Sequence, residues 1–124
     1  MKDPENWAII AGGRDFNDFF FLHYKCSKIL SRLIKEENVG ILSGGARGAD
    51  KLAIDFAKEK NLPLRVMNAD WDKHGKSAGF IRNIEMAKCA THCICFWDGK
   101  SRGTKHMIDT AKKMGQKLRV FCYE

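Results

Sequence analysis

The chain has 124 residues, 44% hydrophobic, 30% charged and 10% aromatic. That is ordinary usage for one globular domain over 1–124, large enough to fold without a disulfide or metal staple. It excludes disorder and collagen-like repeats, and no run approaches the ~18 apolar residues of a membrane span. The net charge of +7 is uneven: residues 1–62 carry ten bases and nine acids, residues 63–124 twelve bases and six acids. A basic half points to an anionic partner without naming it.

In chain order, short apolar runs alternate with helical periodicity. The runs are Trp7–Ala11, Val39–Leu42, Leu64–Met67, His92–Trp97 and Leu118–Cys122. Between them, 18–35 carries the stripe Phe19, Leu22, Cys26, Ile29, Leu30 and Leu33, and 47–60 recurs through Ala49, Leu52, Ala53, Phe56 and Ala57. Ser77 is placed as N-cap of a helix over 77–90 containing Ile81, Ile84 and Met86, and Gly115 stops a helix over 103–115. Five strands alternating with four helices predict an α/β fold with a mostly parallel sheet covered on both faces. Phe20, Phe21 and Tyr24 fall off the first helical stripe, which predicts a homo-oligomer through that helix.

Ligands of such sheets bind beyond the strands' carboxyl ends, where helix N-termini point outward. Nine of the 11 glycines lie in the four loops there. These are Gly12-Gly13-Arg14-Asp15, Ser43-Gly44-Gly45-Ala46-Arg47-Gly48-Ala49-Asp50, the long loop from Asn68 to Gly79 leading to Arg82-Asn83, and Asp98-Gly99-Lys100-Ser101-Arg102-Gly103-Thr104. Glycine lets a ligand approach the backbone, free N–H groups and the helix dipole attract oxyanions, and Arg14, Arg47, Arg82 and Arg102 supply bidentate donors. Four such loops at one edge predict a phosphate-bearing ligand. The dinucleotide fingerprint is absent, and neither Gly75-Lys76-Ser77 nor Gly99-Lys100-Ser101 completes a P-loop, because Asp70 and Ile94 stand where glycine is needed.

Several residues carry two readings. Asp50 either complements the helix dipole or serves the ligand site, binding ribose hydroxyls or steering an arginine, and Asp98 either caps the next helix or contacts ligand. Trp71, in a long polar loop with His74, either stacks a base or anchors the loop on the core. Arg82 sits beside the buried edge and needs an anionic partner, a ligand phosphate or Asp50 or Asp98. Cys89, His92, Cys93 and Cys95 are close in sequence, but two lie within a strand, so buried thiols are expected and no metal. Five cysteines without a signal peptide predict reduced thiols in the cytoplasm.

The segments Ser43–Asp50, Ala69-Asp70-Trp71, Ala78-Gly79-x-x-Arg82-Asn83-x-x-Met86-Ala87 and Phe96-Trp97-Asp98-Gly99-x-Ser101-x-Gly103-Thr104 resemble the small YspA-related (DUF2493) group of the SLOG superfamily, which also includes DprA/Smf and the LOG phosphoribohydrolases. The resemblance implies a Rossmann-like three-layer αβα sandwich binding a nucleotide or a nucleotide-derived, ADP-ribose- or NAD-like ligand, with no further cofactor. The implied contacts are Gly12, Gly13, Arg14, Ser43, Gly44, Gly45, Arg47, Gly48, Asp50, Trp71, Arg82, Asn83, Asp98, Gly99, Ser101, Gly103 and Thr104. The LOG enzymes hydrolyse the N-glycosidic bond of nucleoside monophosphates, with an Arg-Lys-x-x-Met and a Pro-Gly-Gly-x-Gly-Thr-x-x-Glu pattern. Here Asn83 replaces the Lys and Met107 the catalytic Glu. Catalysis would fall to Asp50 and Asp98, with Arg82. The third possibility, in the DprA manner, is weak single-strand nucleic-acid binding.

Overall fold

The computed structural model describes residues 3–124. Five parallel strands, β1 (Asn6–Gly12), β2 (Val39–Ser43), β3 (Leu64–Val66), β4 (His92–Trp97) and β5 (Lys117–Cys122), form one sheet in the order β3-β2-β1-β4-β5. The helices are α1 (Phe19–Ile29), α2 (Ser31–Lys35), α3 (Ala49–Glu59), α4 (Trp71–His74), α5 (Ala78–Cys89) and α6 (Arg102–Lys113), and a 3-10 turn over Gly75–Ser77 joins α4 to α5.

Alternation along the strands makes two cores. Ala8, Ile10, Ile41, Ile94 and Phe96 face Leu22 and Cys26 of α1 and Ala53 and Phe56 of α3. Ile9, Leu42, Cys93 and Cys95 face Met86 of α5 and Met107 and Ile108 of α6. Helices therefore cover both faces, as the pattern predicts, and the fold is Rossmann-like. The strand order reverses between β1 and β4, so the crevice above Gly12 and Trp97 is where this topology opens a ligand site.

Several local expectations need correction. The helix predicted over 18–35 is divided at Leu30, which is fully buried at the corner with φ −98° and ψ 7°. One apolar stripe thus spans two axes. The loop after β3 is partly helical, and its 3-10 turn runs straight into α5. Ser77 is at the N-cap position in helical conformation and makes no capping bond. Phe21 is not on an outward surface: it meets Phe96 and Phe121 edge to face, because β5 extends the apolar face beneath α1. Phe20 and Tyr24 remain exposed. The α6 helix ends two residues before Gly115, whose φ of 69° places it just past the cap residue Met114.

Candidate functional site

A cleft of about 450 Å³ opens at the switch point. Its near wall is the β1–α1 loop, where Gly13 donates its N–H to the Phe96 carbonyl at 3.1 Å and so ties β1 to β4. The Tyr123 hydroxyl donates to the Asp15 carboxylate at 2.7 Å. Burial and that carboxylate push the Tyr123 phenol well up, so it stays a donor. Arg14, exposed, projects from this loop into the cleft.

The deep wall is the β2–α3 loop. Ser43, fully buried, donates its hydroxyl to the Asp50 carbonyl at 2.8 Å and accepts from the Gly45 N–H at 3.2 Å. The Asp50 carboxylate accepts from the Ala46 N–H at 3.2 Å. Both ends of the loop are thereby locked, and the N-terminus of α3 is aimed at the cleft between Arg47 and Asp50. Gly48 has φ 76° and ψ −129°, a region few side chains enter, and a Cβ there would stand 2.3 Å from the Gly13 carbonyl oxygen. Only glycine lets the two loops touch, and the Ala49 N–H then reaches the same carbonyl at 3.1 Å.

Arg82 on α5 reaches under this loop. Its guanidinium donates to the Gly44 carbonyl and, through Nε, to the Asn83 side-chain oxygen at 3.2 Å. Among the described residues no carboxylate forms a salt bridge with it. Neither Asp50 nor Asp98 is its direct partner, although Asp50 is close enough that each biases the other's charge. A Cβ on Gly44 would meet both groups, at 2.5 Å from Arg82 Nη1 and 2.8 Å from Asp50 Oδ2. Burial pushes the Asp50 carboxyl up, against the pull of Arg82, the Ala46 N–H and Arg14, and burial draws Arg82 down. Asn83 lines the cleft, but its amide is already engaged. Nδ2 donates to the Gly103 carbonyl at 3.2 Å and lies 3.3 Å from His106 Nδ1, so Asn83 holds Arg82 and α6 in place. Burial draws His106 down, and as a neutral ring its Nδ1 accepts from the amide.

The shallow wall is the β4–α6 turn. Asp98 accepts from the N–H groups of Lys100 and Ser101, both at 2.8 Å, which hold its carboxyl below the usual range. It shapes the turn and does not cap α6. That cap is Ser101, whose Oγ accepts from the Thr104 N–H at 3.5 Å. Ser101, Gly103 and Thr104 bring the N-terminus of α6 to the cleft. At the rim Trp71 is 52% exposed, so it does not anchor the loop in the core. Phe80 lies beside it in the wall, its ring stacked on His106 with centroids 4.3 Å apart.

The structure thus brings Gly12, Gly13, Arg14, Arg47, Asp50, Trp71, Arg82, Asn83, Asp98, Ser101, Gly103 and Thr104 to one cleft. Ser43, Gly44, Gly45, Gly48 and Gly99 are not on its wall. The first four shape the deep loop and Gly99 the shallow turn, with φ 83°. Sequence reasoning passed over Asp15, Lys76 and Phe80. Asp15 and Lys76 stand inside the glycine loops, which was the available signal. Phe80 reads as an ordinary helical apolar residue.

A family model described as the YspA, cpYpsA-related SLOG family matches residues 8–74. The gene 61 protein of Mycobacterium phage D29 is 42% identical over 81 residues, covering 60% of this chain and 65% of that protein. The match therefore spans just under two thirds of the relative's length. Among solved structures, DNA processing protein A from Helicobacter pylori, described for its single-stranded DNA binding mode, is similar over 98% of this chain and 67% of its own, with TM-score 0.70 and 20% identity. The same protein from Streptococcus pneumoniae is similar over 98% and 51%, with TM-score 0.64 and 16% identity. TM1055 is similar over 91% and 72%, with TM-score 0.62 and 15% identity. At such identities the likeness is one of fold.

Proposed function

Starting from the fact that the chain belongs to the YspA, cpYpsA-related SLOG family, we propose that the switch-point cleft binds a nucleotide or a nucleotide-derived ligand of ADP-ribose type. One observation carries the reading. The N-termini of α3 and α6 converge on a single cleft with Arg14, Arg47 and Arg82, while Trp71 stands half exposed at its rim. Phosphate oxygens suit the helix N-termini and the arginines. Asp50 and Asp98 accept from ribose hydroxyls, and the base stacks on Trp71. Arg82 spends two of its five N–H donors on the protein and has the rest for ligand.

The reading is one of binding rather than turnover. Met107, buried and apolar, fills the wall where the LOG pattern has its Glu, and it supplies neither acid nor base. A polyanionic strand does not suit this cleft either, since Asp15, Asp50 and Asp98 line it beside the cations.

Calorimetric titration with AMP and with ADP-ribose, on the parent and on Arg82→Ala, tests the proposal. Charge-assisted hydrogen bonds are worth about 1.5–3 kcal/mol, so affinity falls by about 10- to 150-fold in the variant. Its melting temperature drops modestly, because the Gly44 carbonyl and the Asn83 amide lose their donor. Lowered stability with unchanged affinity would assign Arg82 to the scaffold alone. Failure of both ligands to bind the parent would overturn the reading.

A further inference from the structure

Two cations of the basic half, Lys117 and Arg119, lie away from the switch-point cleft, and Lys25, Lys28 and Arg32 of the first half join them. At the opposite edge of the sheet, where the strands begin, lies a second cleft of about 420 Å³. Arg32, Lys117, Arg119, Ser31 and His92 line it, and no carboxylate does. Lys117, Arg119 and Phe121 alternate to one face of β5, whereas Leu118 and Val120 point into the α5–α6 core. On α1, across from that face, Lys25 places its ammonium 5.1 Å over the Phe121 ring. Lys28 lies 3.4 Å from the Tyr24 hydroxyl. The basic lining of the second cleft therefore continues along the junction of α1 and β5.

These cations are not neutralised. Of Lys25, Lys28, Arg32, Lys117 and Arg119, only Arg32 has a carboxylate partner among the described residues, Glu36 at 3.9 Å on the surface. On other helices Lys51 and Lys105 are matched by Asp55 and Asp109. The basic strip also has an end. Beyond it, between the start of α1 and the end of β5, a third cleft is lined by Asp15, Asp18 and Glu124 and by no base. Beside the strip, Tyr24 is 56% and Phe20 87% exposed, and the Tyr24 ring is flanked by the Lys25 and Lys28 ammonium groups at 5.7 and 5.3 Å, so an open ring and cations stand side by side on one helix.

We propose that the α1–β5 face binds single-stranded nucleic acid. Its phosphates would run along Lys117, Arg119, Arg32, Lys28 and Lys25, and an unpaired base would stack on Tyr24. A cationic track with adjoining open rings is what sequence-independent strand binding requires. Paired bases would leave the rings unused. The proposal does not rest on the nucleotide reading, since it uses none of the switch-point residues.

Fluorescence anisotropy with a labelled oligothymidine of about twenty nucleotides tests it. The parent binds at low salt, with log affinity falling against log salt by about 0.7 per phosphate contact. The double variant Lys117→Glu/Arg119→Glu binds at least about tenfold more weakly and with a slope shallower by about 1.4. Both residues are exposed, so its melt is unchanged, and calorimetry shows its switch-point site intact. Tyr24→Ala weakens binding by about fivefold or more at any salt. No binding by the parent at low salt would overturn the proposal. So would parent-like affinity in the Lys117→Glu/Arg119→Glu variant, or a loss confined to Arg47→Glu, which would put the strand at the switch-point cleft instead.

Discussion

The two loops that aim helix N-termini at the switch-point cleft use the same chemistry at different depths. Each sets a serine and an aspartate about glycine, Ser43 and Asp50 about Gly44, Gly45 and Gly48, and Asp98 and Ser101 about Gly99. In the β2–α3 loop Ser43 and Asp50 are buried and bonded across the loop ends. In the β4–α6 turn Asp98 and Ser101 are partly open to solvent and bond only within the turn, to the backbone amides of Lys100, Ser101 and Thr104 and to the Thr104 hydroxyl. The electrostatic outcome reverses with depth. Burial lifts Asp50, while backbone donors hold Asp98 down. The deep loop is a framed wall whose polar groups are committed to one another, and the shallow turn is a solvated lip. A ligand spanning both meets fixed geometry on one side and adjustable contacts on the other.

Gly48→Ala breaks the comparison most severely. The new Cβ meets backbone, the Gly13 carbonyl oxygen at 2.3 Å and that of Arg14 at 2.6 Å, at a φ of 76°. Backbone cannot rotate away as a side chain can. The strain is worth about 3 kcal/mol, or roughly 10 °C in melting temperature for a chain of this size. Gly99→Ala has a positive φ as well, but open space around it, and costs visibly less. Equal melting losses for the two would show that loop contact is not what Gly48 serves.

Asp50→Asn sharpens the electrostatic half. Because burial raises the folded-state pKa, the native protein holds this proton more tightly than the unfolded chain does. Parent stability therefore falls as pH rises from the ordinary aspartate range through the raised value, and stays low above it. Asparagine lacks that penalty and keeps an oxygen for the Ala46 N–H. Its melting temperature is higher than the parent's at neutral pH, and the gain closes on acidification. Ligand affinity falls at the same time. A lower melting temperature at neutral pH would mean that attraction to Arg82 outweighs burial.

Much of this site was legible as placement. Short buried runs followed by glycine loops fix where helices start, and parallel connectivity puts those starts at one edge, so Arg14, Arg47 and Gly103 could be assigned to a common cleft. What stayed hidden was which polar atoms answer one another. The sequence offers a ligand phosphate, Asp50 or Asp98 as partners for Arg82. In the structure it is a backbone carbonyl, that of Gly44, together with the neighbouring Asn83 amide, that receives the guanidinium. A carbonyl leaves no mark in a side-chain pattern. Asn83 reads as a ligand contact and does line the cleft, but that its amide also braces α5 against α6 was not legible. The division of the first helix was hidden for a related reason, since Leu30 satisfies one continuous periodicity while tertiary burial bends the chain there.

The smallest effect tests the comparison most cleanly, because the chemistry is identical. Ser43→Ala and Ser101→Ala each delete one hydroxyl beside a helix start. Ser43 sits fully buried, with a 2.8 Å bond to the Asp50 carbonyl and a 3.2 Å bond from Gly45. Its loss leaves a void and frees the loop end, at about 1 kcal/mol. Ser101 makes only long bonds, accepting from the Thr104 N–H at 3.5 Å and lying 3.3 Å from the Thr104 hydroxyl, at a half-buried helix end where water can replace both. Its loss lies at the low end for N-caps, about 0.5 kcal/mol. Denaturant melts of the two variants resolve that difference. Ligand affinity follows the same order if the deep wall must be preorganised, since a loosened Ser43 lets Arg47 and the α3 N-terminus drift. Equal losses in both stability and affinity would mean that the two loops differ in burial but not in function, and that the deep frame adds nothing to binding.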